Sequence, residues 1–130
     1  MAEHANVTLF KKGYEAFSTG DMDTLRGLFS HDVVWHQPGK NPLSGDHKGV
    51  DSVLGLFMKL AQETDGTFKV EPHDFLGNDE HVVVLATVTG TRKGKHVHDR
   101  YAQIAHVRGG KATEVWVFQE HQDLLDAFFA

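Results

Sequence analysis

The chain has 130 residues, of which 40% are hydrophobic and 24% charged; its net charge is −5, and it contains no cysteine. This length predicts a single domain spanning residues 1–130, and the acidic balance argues against a nucleic-acid binder, which needs a basic face. The missing cysteine excludes disulfides and thiol chemistry, the short apolar runs exclude a membrane span, and the lack of a secretory signal at residues 1–6 leads us to expect a cytoplasmic protein.

Two amphipathic helices are predicted at the start of the chain. Apolar side chains recur every three or four positions over residues 7–17, with Asn6 as a plausible N-terminal cap. Gly20 suits the left-handed conformation that ends many helices. Asp21 can then cap a second helix over residues 22–29.

A strand, a long loop and a third helix follow. Residues 33–35 are β-branched or aromatic, which predicts a strand. The segment Trp35-His36-Gln37-Pro38-Gly39-Lys40-Asn41-Pro42-Leu43-Ser44-Gly45 is rich in proline and glycine and predicts a loop. A third helix with one apolar face is predicted to begin near Gly49.

The second half of the chain predicts an antiparallel sheet. Residues 67–76, 81–91, 96–107 and 112–119 read as strands, and the short segments between them are rich in turn formers, so they form three consecutive hairpins. A short closing helix is expected over residues 121–129. Because helices come first and strands later, the predicted fold class is α+β. A long meander must twist, and a curled sheet covered by helices can enclose an apolar cavity.

This order, with its Gly20-Asp21 dipeptide and the loop that begins Trp35-His36-Gln37-Pro38-Gly39, resembles the SnoaL-like branch of the NTF2-like superfamily. The resemblance extends from about residue 6 to residue 129. It implies an NTF2-like (cystatin-like) cone, in which three N-terminal helices pack on a strongly curved antiparallel sheet with a short C-terminal helix. It also implies a pocket for a hydrophobic small molecule and a homodimer.

Strand alternation and the resemblance together select the side chains that face the pocket. The inward set from the strands is Trp35, Gln37, Tyr101, Gln103, Val115, Val117 and Gln119, and Tyr14 is added from the first helix as a ligand-binding candidate. The opposite face of the sheet carries Ile104, Trp116 and Phe118. An apolar patch of that kind needs a partner, and we expect it to form the homodimer interface.

The related ketosteroid isomerases use an aspartate base with a tyrosine and a protonated aspartic acid, and these roles are unfilled here. Aligned on the Gly20-Asp21 and Gly94 turns, the oxyanion tyrosine falls at Gly13, because Tyr14 is one residue late and would point elsewhere. The base falls at Gln37 and the acid at Gln103, and a glutamine amide is no general base. The aspartate and arginine of limonene-epoxide hydrolases are matched only by the adjacent Asp99 and Arg100, which would point to opposite faces.

Two side chains remain as candidate acid–base groups. Asp99, if inward beside Tyr101, is expected to have its pKa raised by burial. His36 suits proton transfer near neutrality; strict alternation turns it away from Gln37, but the prolines that follow could turn it inward. Neither candidate carries a ketosteroid isomerase signature.

We therefore expect a cofactor-independent isomerase or cyclase that abstracts a proton next to a carbonyl of a hydrophobic cyclic substrate. The alternative is a non-catalytic module that binds a small ligand or serves dimerisation. No metal is expected, because the histidine pair His96 and His98 belongs to no motif with metal-ligand spacing.

Overall fold

The computed structural model describes residues 3–130 and follows the predicted element order with one additional strand. None of the helices among these residues combines the length and apolar character needed to cross a bilayer. The elements in chain order are α1 (Ala5–Thr19), α2 (Met22–Leu28), β1 (Phe29–Gln37), β2 (Gly45–Lys48), α3 (Val50–Glu63), β3 (Lys69–Gly77), β4 (His81–Arg92), β5 (Lys95–Arg108), β6 (Lys111–Gln119) and α4 (Gln122–Phe129).

All six strands form one sheet in the order β2-β1-β6-β5-β4-β3. The three hairpins predicted for β3 to β6 are confirmed, and each of these pairs is antiparallel. The expectation of a purely antiparallel sheet needs one correction, because β1 pairs with β6 in parallel, with Trp35 beside Val115. A helix and four strands separate β1 from β6 along the chain, which is ample length for the crossover that parallel pairing requires.

The additional strand β2 occupies the end of the predicted loop. It pairs with β1, placing Asp46 opposite His36 and Gly45 opposite Gln37. Its sequence, Gly-Asp-His-Lys, has neither β-branched residues nor alternating polarity. The strand forms because it lies along the exposed edge of β1, which is tertiary information that local sequence does not carry.

The ends of the first two helices follow the predicted pattern except at one position. Gly20 has a φ of 73° and ends α1, while the side chain of Asp21 accepts a hydrogen bond from the backbone N–H of Thr24. The prediction that Asn6 caps α1 was wrong. His4 is the cap, and its Nδ1 accepts from the backbone N–H of Asn6 at 3.1 Å.

The sheet buries one face under the helices and leaves the other without a helical cover. Along β4, buried side chains alternate with half-buried ones from end to end. On β5 the inward face carries Asp99, Gln103 and Ala105, as predicted. A register shift occurs between β5 and β6 near His106 and Val107. Because the shift lies beyond these inward residues, it does not exchange the two faces where the candidate site forms.

Candidate functional site

A cavity of about 80 Å³ lies between the helices and the inner face of the sheet. This is several times the roughly 10–15 Å³ that one water molecule needs. Its wall is mainly apolar and draws on all four helices. The aromatic and aliphatic side chains on the wall include Phe10, Phe17, Leu25, Leu28, Phe29, Phe57, Leu60, Phe68, Leu125 and Phe129.

Seven of the side chains predicted to face the pocket lie on the wall of this cavity: Tyr14, Trp35, Gln37, Tyr101, Gln103, Val117 and Gln119. Val115 is fully buried but does not line the cavity. Regular strand alternation places the other six strand residues on the wall. Two polar residues that the sequence did not single out, Asn41 and Gln122, join them. Ligand binding by these side chains stays a prediction, but their convergence on one space is established.

Two tyrosines meet inside the cavity. The hydroxyl oxygens of Tyr14 and Tyr101 are 2.7 Å apart and share a hydrogen bond. Burial raises the pKa of both phenols, so both are neutral near pH 7. Tyr14 and Gly13 both line the cavity, but a side chain at Gly13 would meet Leu28, whereas the Tyr14 hydroxyl meets Tyr101. Since one hydroxyl donates to the other, the pair retains one O–H that can donate to a ligand.

Glutamine amides provide the remaining polar groups at the centre of the wall. The side chain of Gln103 is 4% exposed and forms no hydrogen bond with any of residues 3–130. Gln37 is different, because its Oε1 accepts from Trp35 Nε1 at 2.9 Å, which leaves its NH₂ group free. The wall therefore offers neutral hydrogen-bond donors within apolar surroundings.

The proline- and glycine-rich loop closes one end of the cavity by binding α4. Asp126 Oδ1 accepts from the backbone N–H of Lys40 at 3.0 Å, from Asn41 Nδ2 at 2.8 Å and from Gln122 Nε2 at 3.0 Å. Burial tends to raise the pKa of Asp126, but these donors outweigh burial and the pKa is lowered. Sequence reasoning missed Asp126, because a carboxylate on a short helix gives no sign of the loop it binds.

Asp99 points inward but does not reach the cavity wall. Its Oδ2 accepts from Gln119 Nε2 at 3.0 Å and from the backbone N–H of His121 at 2.9 Å, and its Oδ1 accepts from His121 Nδ1 at 2.9 Å. Burial alone would raise the pKa of Asp99, as the sequence led us to expect. That expectation was wrong, because the three donors outweigh burial and lower the pKa.

His121 is the partner that sequence reasoning missed. It lies between β6 and α4, and its ring is 55% exposed. The hydrogen bond to Asp99 raises the pKa of His121. It is not on the cavity wall, but Gln119 and Gln122, which flank it in sequence, are. The signal in the sequence that could have identified His121 is its position two residues after the last strand, where the cavity wall ends.

His36 lies on the face of the sheet opposite the cavity. Its Nδ1 is 2.7 Å from Asp46 Oδ1 and its Nε2 is 2.6 Å from Glu114 Oε2, and the ring stacks on Trp116 at 5.1 Å. These carboxylates, Glu114 first, raise the pKa of His36. This placement corrects the prediction that His36 is an acid–base group at the pocket. Strand β1 continues to Gln37 against β2, so alternation persists and the following prolines do not turn the ring inward.

One group of potential metal ligands occurs among residues 3–130. Asp99, Glu120 and His121 could bring one ligand atom each to within 4.8 Å of the others. Both oxygens of Asp99 already accept hydrogen bonds from His121 and Gln119, and Glu120 pairs with Arg100. Hydrogen bonds within the protein therefore explain why these three side chains lie close together.

Helices covering one face of a curved sheet around a central cavity define the NTF2-like (cystatin-like) class of proteins. The SnoaL-like domain family matches residues 10–115. The chain therefore belongs to the SnoaL-like family, as its sequence suggested.

Other proteins are similar to this chain over nearly its whole length. An uncharacterized protein of Mycobacterium tuberculosis, Rv0034, is 32% identical over 131 residues, covering 100% of both chains. Bal32a, from a soil-derived mobile gene cassette, is 30% identical with a TM-score of 0.94 and 97% coverage of both chains. A protein of unknown function with a cystatin-like fold from Xanthomonas campestris is 29% identical, with a TM-score of 0.90 and coverage of 96% of this chain and 98% of that one.

A more distant structure shares the fold alone. IdmH, a proposed polyketide cyclase from Streptomyces antibioticus, is 21% identical with a TM-score of 0.77 and covers 94% of this chain and 96% of its own. At this identity the likeness extends to the architecture and not to individual side chains of the cavity.

Proposed function

We propose that the cavity binds a small, largely apolar molecule through a carbonyl oxygen. The observation that carries this proposal is the Gln103 side chain, which is almost completely buried, lines the cavity and forms no hydrogen bond within residues 3–130. Buried polar groups in folded proteins are nearly always hydrogen-bonded. A bound carbonyl would accept from the Gln103 amide and from the free hydroxyl of the tyrosine pair.

The same donors support an isomerase- or cyclase-like role. Fixed donors in apolar surroundings stabilise negative charge that develops on an oxygen, such as the oxygen of an enolate. Tyr14 and Tyr101 keep their protons because burial raises the pKa of both groups. Membership of the SnoaL-like family, whose fold includes the proposed cyclase IdmH, is consistent with such chemistry.

Replacing Gln103 with leucine tests carbonyl binding. Leucine has a similar volume and removes only the amide, so we expect Gln103→Leu to weaken binding of 2-tetralone, a bicyclic ketone, by about two- to tenfold, the value of one neutral hydrogen bond. Protein stability should be unchanged or higher, because a buried amide without a partner is removed. Calorimetric titration and thermal unfolding measure the two effects.

The matched control is Gln62→Leu, which makes the same substitution on an exposed surface of α3. It should leave the dissociation constant for 2-tetralone unchanged. Equal affinity of the wild type and Gln103→Leu would remove Gln103 from the binding site. A wild-type protein that binds neither 2-tetralone nor other cyclic ketones would contradict the proposed function itself.

The second candidate function is proton abstraction beside the bound carbonyl, and the Asp99–His121 pair favours it. Because Nδ1 of His121 donates to the buried Asp99, Nε2 is the nitrogen left to accept a proton. A base oriented by a buried carboxylate is a recurring catalytic arrangement. Because His121 itself lies off the cavity wall, the proposed step requires the carbon next to the carbonyl to lie at the edge of the cavity beside Gln119 and Gln122. Nε2 then takes a proton from that carbon, and the electron pair of the C–H bond forms the enolate.

Exchange of the hydrogens next to the carbonyl of 2-tetralone for deuterium in D₂O tests this step. We expect His121→Ala to slow protein-catalysed exchange by roughly 10²- to 10⁴-fold without changing the affinity for 2-tetralone. Asp99 raises the pKa of His121. In Asp99→Asn the exchange rate should therefore begin to increase at a lower pH than in the wild type. His98→Ala, on the exposed outer face, is the control. Exchange that persists in His121→Ala excludes this base, and binding without exchange in the wild type leaves binding as the function.

We also propose that a second copy of the chain covers the outer face of the sheet. A band of apolar side chains crosses neighbouring strands in register: Leu76, Val83, Ile104 and Trp116 in one row, and Leu85, Ala102 and Phe118 in the next. Leu76 is 52% exposed and Phe118 55%. A continuous exposed apolar band of this kind on a single chain indicates an interaction surface.

Sedimentation equilibrium tests this interface. We expect twice the chain mass of 14.5 kDa, or 29 kDa, for the wild type, and the mass of one chain for Phe118→Glu, because burying a carboxylate in an apolar interface is costly. Leu124→Glu places the same charge at an exposed leucine of α4 and should remain dimeric. A wild type with the mass of one chain would contradict the proposal.

A further inference from the structure

A second amide on the cavity wall, that of Gln122, has one polar atom without a partner. Oε1 of Gln122 is buried and has no hydrogen-bond partner among residues 3–130. The other end of the same amide is occupied, because Nε2 donates to Asp126 Oδ1 at 3.0 Å. A carboxylate can only accept there, so the Asp126 bond fixes the amide orientation and makes the oxygen the free atom.

Only a hydrogen-bond donor can satisfy the free oxygen of Gln122, whose residue lines the cavity. A glutamine oxygen only accepts hydrogen bonds, so a hydroxyl or N–H group must meet it. At Gln103 and the tyrosine pair the protein supplies the hydrogen-bond donors, so the ligand must supply an acceptor. Gln122 begins α4 beside the loop that binds Asp126, whereas Tyr14 lies on α1 and Gln103 on β5. The two groups therefore lie on different elements of the wall.

The residues that line the cavity also favour an uncharged ligand. Among residues 3–130, the side chains that line the cavity include no Asp, Glu, Lys, Arg or His. An ionised carboxylate or ammonium bound there would lose its hydration without gaining an opposite charge. The neighbouring Asp99 accepts hydrogen bonds from protein donors on both oxygens, and Asp126 accepts three on Oδ1; neither residue is on the cavity wall.

From these observations we infer that the ligand is a neutral hydroxy-carbonyl compound held at two points. Its carbonyl oxygen accepts from Gln103 and the tyrosine pair, and its hydroxyl donates to Oε1 of Gln122. This inference rests on the proposed carbonyl binding and adds a second contact, a required hydroxyl and neutrality to it. Apolar ring carbons fill the space between the two polar groups, against the aromatic wall.

A matched set of bicyclic probes tests the inference: 2-tetralone with the carbonyl alone, hydroxy-2-tetralones with the hydroxyl at different ring positions, and 2-naphthoate as an anion. Calorimetric titration of the full chain should show at least one hydroxy-2-tetralone binding about tenfold more tightly than 2-tetralone. The anion should bind most weakly. In Gln122→Met, which keeps the chain length and removes the amide, the ratio of the affinities for the hydroxy-2-tetralone and for 2-tetralone should fall to about one, whatever the affinity for 2-tetralone itself.

Gln62→Met is the control for the substitution on an exposed helix surface, and it should keep the preference for the hydroxyl. If no hydroxy-2-tetralone exceeds 2-tetralone, or if the advantage survives in Gln122→Met, the two-point inference is overturned and carbonyl binding stands. If 2-naphthoate binds as tightly as the ketones, the required neutrality is overturned. Binding of neither ketone class would overturn the proposed function and, with it, this inference.

Discussion

Gly39→Ala is expected to destabilise the protein strongly and to disturb the end of the cavity that the loop closes. Gly39 has a φ of 94°, a conformation that side chains disfavour, at a cost of roughly 1–3 kcal/mol. A Cβ at this position would also overlap Gln122 Nε2 and Asp126 Oδ1. Displacing these two bonded side chains should cost a further ~1–3 kcal/mol, as overpacking does elsewhere.

The measurement is the free energy of unfolding in urea, followed by circular dichroism, together with the affinity for 2-tetralone. Gly45→Ala is the matched control, because Gly45 also has a positive φ, 119°, but no atom lies within 4 Å of its added Cβ. We expect Gly45→Ala to lose only the backbone contribution and to keep its affinity. Equal losses in the two variants would mean that the loop does not depend on close contact with α4.

Much of the wall could be predicted from sequence because strand alternation is a strict geometric rule. Once β1, β5 and β6 were located, choosing Trp35 as inward also fixed Gln37, and choosing Tyr101 fixed Gln103. The register shift near Val107 lies too far along β5 to upset that choice. The hairpins were equally accessible, since short glycine-containing turns between apolar strands specify antiparallel neighbours.

The polar contacts within the site could not be predicted, because they join residues that are distant in sequence. The Tyr14–Tyr101 hydrogen bond joins residues 87 positions apart, and the Asn41–Asp126 bond joins residues 85 apart. For Asp99, burial was anticipated correctly, but the sign of its pKa shift depends on three donors that local sequence does not reveal. His36 illustrates the converse, since a chemically suitable residue lies on the wrong face of its strand.

Arg92 binds the C-terminal end of α4 to the sheet. This helix has eight residues and no side-chain cap at its start, and isolated helices of that length are marginal in water. At its far end, Arg92 Nη1 donates to the backbone oxygens of Phe128 at 3.2 Å and Ala130 at 3.0 Å. The same guanidinium pairs with Glu63 of α3 at 3.1 Å, so it joins two helices to β4.

Arg92→Met should therefore lower the free energy of unfolding by about 2–4 kcal/mol and weaken binding of 2-tetralone, because Leu125 and Phe129 of α4 lie on the cavity wall. The cost should fall below the ~3–5 kcal/mol of a fully buried pair, since Glu63 is 45% exposed and water can solvate it. Arg100→Met removes the exposed pair with Glu120 instead, at an expected cost below ~1 kcal/mol. Urea unfolding compares the two variants, and hydrogen exchange should show lost protection in α4 for Arg92→Met alone. Similar unfolding energies for both variants would show that α4 is held by its apolar contacts without Arg92.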